Sequence, residues 1–278
     1  MQKIRLRYTK RGRLRFTSHR DVARAFERAL RRAGVPMAYS QGFTPHPKIS
    51  WVGAAPTGVA SEAEYLEISL VRVLDPAVVA REIDAALPPG LDVVDAVTAV
   101  GGSLSERMHA SRWEITVDGV QPETLDAAAC AFLAVDRAPV ERLTKDGRRQ
   151  LDARMPVVSM SVRAADADGN GEAWPCGILT AVVRQASPAV RPDDVMSALL
   201  VVAGLELPVP VRATRLAQGP LDDDGALGDP LAADREAAQP GSPPRRSEGR
   251  TSSRPAPPDL TEVGAERDQI YPSSTRMT

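Results

Sequence analysis

Residues 13–50 read RLRFTSHRDVARAFERALRRAGVPMAYSQGFTPHPKIS. Ser18 followed by Asp21 has the spacing of a capping box, with Asp in place of the commoner Glu. The Ser18 hydroxyl can accept from an orphan backbone N–H, and Asp21 suits the positive end of a helix dipole. Val22, Phe26, Ala29, Leu30 and Ala33 then recur at helical spacing and form one apolar face. Gly34 suits a left-handed C-terminal position and Pro36 blocks continuation, so the spacing predicts a helix over 18–33. Its other face carries Arg20, Arg24, Arg28 and Arg31, with Arg32 at the margin and Glu27 as the opposing charge. Residues 37–41 read as a strand. Two prolines and a glycine make residues 42–47 a loop.

Outward from this stretch, residues 3–10 alternate: Ile4, Leu6 and Tyr8 point one way, Arg5 and Arg7 the other. That pattern predicts a half-buried strand with a basic outer face. Residues 65–70 alternate likewise. Asp75-Pro76 opens a second helix in the favoured cap-then-Pro order, and residues 91–100 close the set as a strand. The order β-α-β-β-α-β is that of a ferredoxin-like unit. It recurs downstream: a strand at 112–117, a helix at 122–134, strands at 140–143, 157–163 and 178–184, a helix at 192–203 and a strand at 209–216. The expected fold class is therefore α+β, with two tandem ferredoxin-like units over 1–104 and 105–219. A single mixed α+β domain is the alternative. From about Gly219 the chain turns acidic, then rich in Pro, Ser, Arg and Gly, and residues 220–278 are expected to be a disordered tail.

Thirteen of the first fifty residues are Lys or Arg, against Asp21 and Glu27 alone, an excess of eleven positive charges in a chain whose net charge is −1. Such segregation points to a polyanion surface, with RNA the expected partner. No apolar run approaches the roughly 20 residues of a membrane span, and the N-terminus has no apolar signal region, so no membrane association is expected. Cys130 and Cys176 are the only cysteines in the sequence, a usage that fits a reducing cytoplasm. Neither lies in a CxxC pair, and no HxH, HxxxH or HExxH spacing is present, so no metal site is expected. The glycine patterns of dinucleotide and P-loop sites and the GxSxG motif are absent, and no cofactor is expected.

Two of the three histidines, His19 and His46, lie in the basic segment. The helix N-terminus and neighbouring arginines disfavour a proton on His19, so a neutral imidazole is expected there. His46 sits between two prolines, near Gln41 and Lys48. In a β-α-β unit the strand after the helix returns antiparallel to it. On that geometry His19 and His46 approach within roughly 12 Å. Tyr39 or Gln41, Lys48 and Glu64 then line the same pocket, and a phosphate is the expected ligand group. A basic turn, KDGRR at 145–149, reads as a second polyanion contact. Arg163, Arg212 and Arg215 read as ordinary charges on sheet faces.

The sequences SHRD, RRAGVPMAYSQGFTPHPKIS and PTGVASEAEYLEI resemble a bacterial family: the domain of unknown function found C-terminal to radical SAM proteins with B12-binding-like domains, and also free-standing. Weaker similarity, at KDGRRQLDAR and RATRLAQG, extends to about residue 219. The chain departs from the family at Arg20, where an aliphatic residue is usual. The resemblance implies partnership with a radical SAM protein or RNA-maturation machinery, since the CxxxCxxC cluster ligands are missing here. It implies no reaction. It marks Ser18, His19, Asp21, Arg24, Tyr39, Ser40, Gln41, Gly42, His46, Lys48 and Glu64 as site candidates, to which the basic stripe adds Arg28. The leading expectation is an RNA-binding accessory protein. The alternatives are a metal-independent RNA-processing nuclease using His19 and His46, and a protein–protein adaptor using the tail.

Overall fold

The computed structural model describes residues 1–144, 147–165 and 175–238. Its first half runs β1 (Gln2–Lys10), α1 (His19–Arg32), β2 (Ile49–Val52), β3 (Ala60–Leu70), α2 (Pro76–Ala86) and β4 (Val93–Thr98). The second runs β5 (Ala110–Asp118), α3 (Pro122–Ala134), β6 (Pro139–Thr144), β7 (Gly147–Asp152), β8 (Val157–Ala164), β9 (Cys176–Arg184), α4 (Pro192–Ala203) and β10 (Arg212–Gly219). A short helix, α5 (Ala232–Ala238), follows.

The fold is α+β, built on one mostly antiparallel sheet of eight strands. The order β4-β1-β3-β10-β5-β9-β8 forms its spine, and β2 pairs with β3. Within the first half the neighbours β4-β1-β3-β2 are all antiparallel. In the second half β10-β5-β9-β8 are too. The halves join where the start of β3 meets β10 in parallel, Ala60 against Thr214 and Ser61 against Arg215. β6 and β7 form a separate hairpin inserted between α3 and β8.

Local chemistry explains α1. Ser18 Oγ accepts from Asp21 N at 3.3 Å, and Val22, Ala25, Phe26, Ala29 and Leu30 are buried. These pack with Ile4, Leu6 and Tyr8 of β1 and with Val79 and Ile83 of α2. Fully burying a side chain such as Phe26 or Leu30 contributes roughly 1.5–3 kcal/mol. Gly34 ends the helix at φ +63°. α2 starts as its Asp75-Pro76 pair dictates, the Asp75 carboxylate accepting from Ala77 N at 2.9 Å. The second core gathers Trp113, Ile115 and Val117 of β5 under Leu125 and Phe132 of α3 and Val195 and Leu199 of α4.

Three expectations are corrected. Residues 37–41 are not a strand: isolated bridges form only at Met37 and Tyr39, and the edge strand is β2. The chain leaves β3 at Ala38, whose N–H donates to Ser69 O, and rejoins it at Lys48, whose carbonyl accepts from Ser69 N. Residues 39–47 therefore project as a hairpin before the strand rather than after it.

The second correction is to β1. Its outer face is not solvated, because Arg5 is 1% exposed. The third is to the tail, since residues 220–238 are folded onto that same face. Leu231 joins Val52, Ala63, Tyr65 and Val97 in a buried cluster, and Asp234 is fully buried. Residues 239–278, the remainder of the expected tail, lie outside the described residues. No described helix is long and apolar enough to cross a membrane.

Candidate functional site

The arginines of α1 follow from its amphipathic pattern. With the apolar stripe on the sheet, Arg20, Arg24, Arg28, Arg31 and Arg32 are turned to solvent. Arg24 lies 3.6 Å from Asp21, both side chains more than half exposed, so that pair neutralises little. Arg20, Arg28, Arg31 and Lys48 form no salt bridge among the described residues. The five strand and turn cations upstream are spent within the fold. Lys3 and Arg5 bind Glu67 at 2.7 and 3.0 Å, Arg7 Nε donates to Glu62 O, and Arg11 pairs with Glu62. Lys10 Nζ donates to Ala55 O and Pro56 O at 3.3 and 3.1 Å. The excess charge of the first fifty residues therefore concentrates on α1 and its flanks.

The 39–47 hairpin presents aromatic rather than charged surface. Phe43 is fully exposed and Tyr39 is 52% exposed. The hairpin is tied internally: Ser40 N donates to His46 O at 2.9 Å, His46 N donates to Ser40 Oγ at 3.1 Å, and Ser40 Oγ lies 3.0 Å from His46 Nδ1. These contacts tie His46 into its own hairpin, where it acts as an internal strut. Gln41 and Gly42 sit at the exposed tip. Phe43 escaped the sequence reading. Its signal was an aromatic side chain in a proline-bounded loop, with no periodic partner to bury it.

His19 has a different setting. Its ring meets Trp51 edge-on at 5.2 Å, and Trp51 continues into Phe26 and Tyr8 at 5.4 and 6.1 Å. It thus covers the open end of an aromatic cluster beneath the helix N-terminus, beside the Ser18–Asp21 cap. Trp51 is level with Leu66 of β3, whereas the hairpin leaves at Ser69. Three residues of strand separate those levels, roughly 10 Å. The expected pocket around both histidines was drawn with a strand at 37–41, and among the described residues no contact joins the two rings. With β2 as the strand, His19 stands on Trp51 and His46 is bound within its own hairpin.

Glu64 does not line that surface. It is 2% exposed, pairs with Arg215 and accepts from Ala55 N at 3.0 Å. Arg215, itself 4% exposed, stacks its guanidinium over Trp113 at 5.3 Å. It is therefore no ordinary sheet-face charge. Burial pushes the Lys10 ammonium below its ordinary value and Arg215 adds to this, while Glu64 offsets part of it. Burial, with Glu64 nearby, pushes the Tyr8 hydroxyl well up.

On the opposite face Asp234 accepts both Arg5 Nη1 contacts, at 2.8 and 2.9 Å, and Arg107 at 2.7 Å. Among the described residues no group of three or more His, Cys, Asp or Glu side chains could hold a metal ion. Lys145 of the KDGRR turn lies outside the described residues. Arg148 and Arg149 beside it are exposed on β7.

A continuous, mostly antiparallel sheet carrying a one-sided basic helix and an exposed aromatic hairpin defines an α+β protein. The chain belongs to an uncharacterized family of proteins conserved in bacteria, DUF2344, whose family model matches residues 3–192. No curated protein matches the chain. Among solved structures it is similar to an unknown protein from Galdieria sulphuraria, at 15% identity, covering 77% of this chain and 98% of that one with a TM-score of 0.23. It is also similar to the first two RRM domains of a yeast poly(U) binding protein, at 12% identity, covering 76% and 98% with a TM-score of 0.20. At those scores neither bears on function.

Proposed function

We propose that this protein is a cytoplasmic accessory factor that binds RNA through the α1 face and the 39–47 hairpin, in the service of a radical SAM or RNA-maturation system. The observation that carries the reading is the pairing of unneutralised arginines on α1 with exposed Tyr39 and Phe43 on the segment that follows it. Single strands are held by this combination: cations follow the phosphates, and bases stack on aromatic faces at about 1–3 kcal/mol each. The strand order and polarity of each half support reading the two halves as ferredoxin-like units sharing one sheet.

The test is fluorescence anisotropy of a labelled single-stranded RNA titrated with the full chain over a series of salt concentrations. The logarithm of affinity should fall with the logarithm of salt by about 0.7 per phosphate contacted. Arg24→Glu with Arg28→Glu should flatten that slope by about 1.4, two contacts' worth, without lowering the melting temperature. Phe43→Ser should weaken binding at every salt concentration. Affinity that ignores salt, or no binding at micromolar protein, refutes the reading. The adaptor alternative requires a deletion that begins after Ala238, because removing residues from 220 also strips Asp234 from Arg5.

A further inference from the structure

A cavity of about 220 Å³ opens between the residues that follow β2 and the 184–191 loop, away from the α1 arginines. Its lining includes Gly53, Ser111, Trp113, Arg184, Arg191 and Arg215. Each element brings its residue for a local reason. Ser111 and Trp113 alternate on β5, opposite Val183 and Ala181 of β9. Arg215 faces Trp113 across the β5–β10 register and lies over its ring. Arg191 is the residue at which α4 begins, and its own amide is capped by Asp194.

The polar inventory is one-sided. The two carboxylates beside the cavity are already committed: Glu64 to Arg215, and Asp194 to Arg142, whose Nε donates to it at 2.9 Å. Arg184 and Arg191 are exposed and form no salt bridge among the described residues. Ser111 is 9% exposed and lines the cavity, and its hydroxyl has no hydrogen-bond partner among the described residues. That hydroxyl is open to the cavity and, with two guanidiniums that have no carboxylate partner, offers hydrogen-bond donors that an anion can accept from.

We propose that this cavity is a phosphate site, and that it takes the terminal phosphomonoester of an RNA strand. Guanidinium forks match phosphate oxygens in geometry as well as charge. The volume decides the size of the ligand: sites that enclose a drug-sized molecule measure roughly 300–1,000 Å³, so this one holds a phosphoryl group rather than a whole nucleotide. Arg215, held in place by Glu64, forms the buried floor, and a closed floor suits a chain end rather than a phosphodiester passing through. The phosphate chemistry stands by itself; the choice of RNA as its carrier rests on the proposed function.

The experiment is calorimetric titration of the full chain with orthophosphate, and with one short single-stranded RNA in 5′-phosphorylated and 5′-hydroxyl forms. The phosphorylated strand should bind at least ten-fold more tightly, and orthophosphate should erase that difference. Arg184→Gln with Arg191→Gln should abolish it while leaving the 5′-hydroxyl affinity unchanged, since α1 is untouched, and Ser111→Ala should reduce it. Orthophosphate binding that the double variant loses, with neither strand bound, upholds the phosphate site and refutes RNA as its carrier. Equal affinity for both strands with no orthophosphate binding, or a preference that survives in the double variant, overturns the site.

Discussion

Replacing Asp234 with alanine tests whether residues 220–238 belong to the folded unit. Asp234 is fully buried and sits between two guanidiniums. It accepts twice from Arg5, at 2.8 and 2.9 Å, from Arg107 at 2.7 Å and from Val100 N at 2.8 Å. Its loss leaves the Arg5 side chain, 2% exposed, with Glu67 and the carbonyls of Gly101 and Gly102 for partners. Removing one member of a buried ion pair costs about 3–5 kcal/mol, because the other charge remains out of water. The stranded Val100 amide acts in the same direction. For a unit of this size, 1 kcal/mol corresponds to a fall of about 2–4 °C, so Asp234→Ala should lower the melting temperature on the order of 10 °C. Thermal melts followed by circular dichroism measure it directly. A chain ending at Gly219 should melt at least as low as the variant. A loss below about 1 kcal/mol would show that Asp234 is not holding Arg5, and residues 220–238 would return to the tail that composition alone suggested.

Two further outcomes follow from the same packing. A Cβ built on Gly219 would lie 2.2 Å from the carbonyl oxygen of Gly228, so Gly219→Ala must push the 228–230 backbone away; a loss of about 1–3 kcal/mol is expected in the same melts. Burial alone would raise the Glu67 carboxyl, but hydrogen bonds and charge from Lys3 and Arg5 outweigh it and hold the group below its usual range. A depressed carboxylate stabilises the fold above its unfolded pKa and loses that contribution as pH falls through the folded value. Denaturation midpoints measured from pH 7 down to pH 3 should therefore drop more steeply for the native chain than for Glu67→Gln. Parallel curves would count against the Lys3–Glu67–Arg5 linkage.

The elements whose signals are local were legible in the sequence. α1 declares itself through Ser18, Asp21, the Val22–Phe26–Leu30 stripe and Gly34, all contacts made within a few residues or across one helix face. The Asp75-Pro76 start of α2 and the alternation of β1 belong to the same class. The outward turn of the α1 arginines followed from the apolar stripe alone, since one buried face fixes the other. What the sequence could not supply was the identity of distant partners. Arg5 and Arg7 alternate with Ile4 and Leu6 as solvated side chains would. Only the return of the chain some 229 residues later, with Asp234 against Arg5, removes that face from water. Glu64 and Arg215, 151 residues apart, carry no local sign of one another, and the β3–β10 join alone brings the expected pocket carboxylate and the expected sheet-face charge together in the interior. The 39–47 hairpin failed for a related reason: residues 37–41 have strand composition, but strand pairing is decided by the neighbour's register. β3 gives its edge to residues 49–52 instead. Charge and pattern set where a side chain is able to go, and long-range pairing, which carries no local signature, decided which charges were buried and which were left to bind.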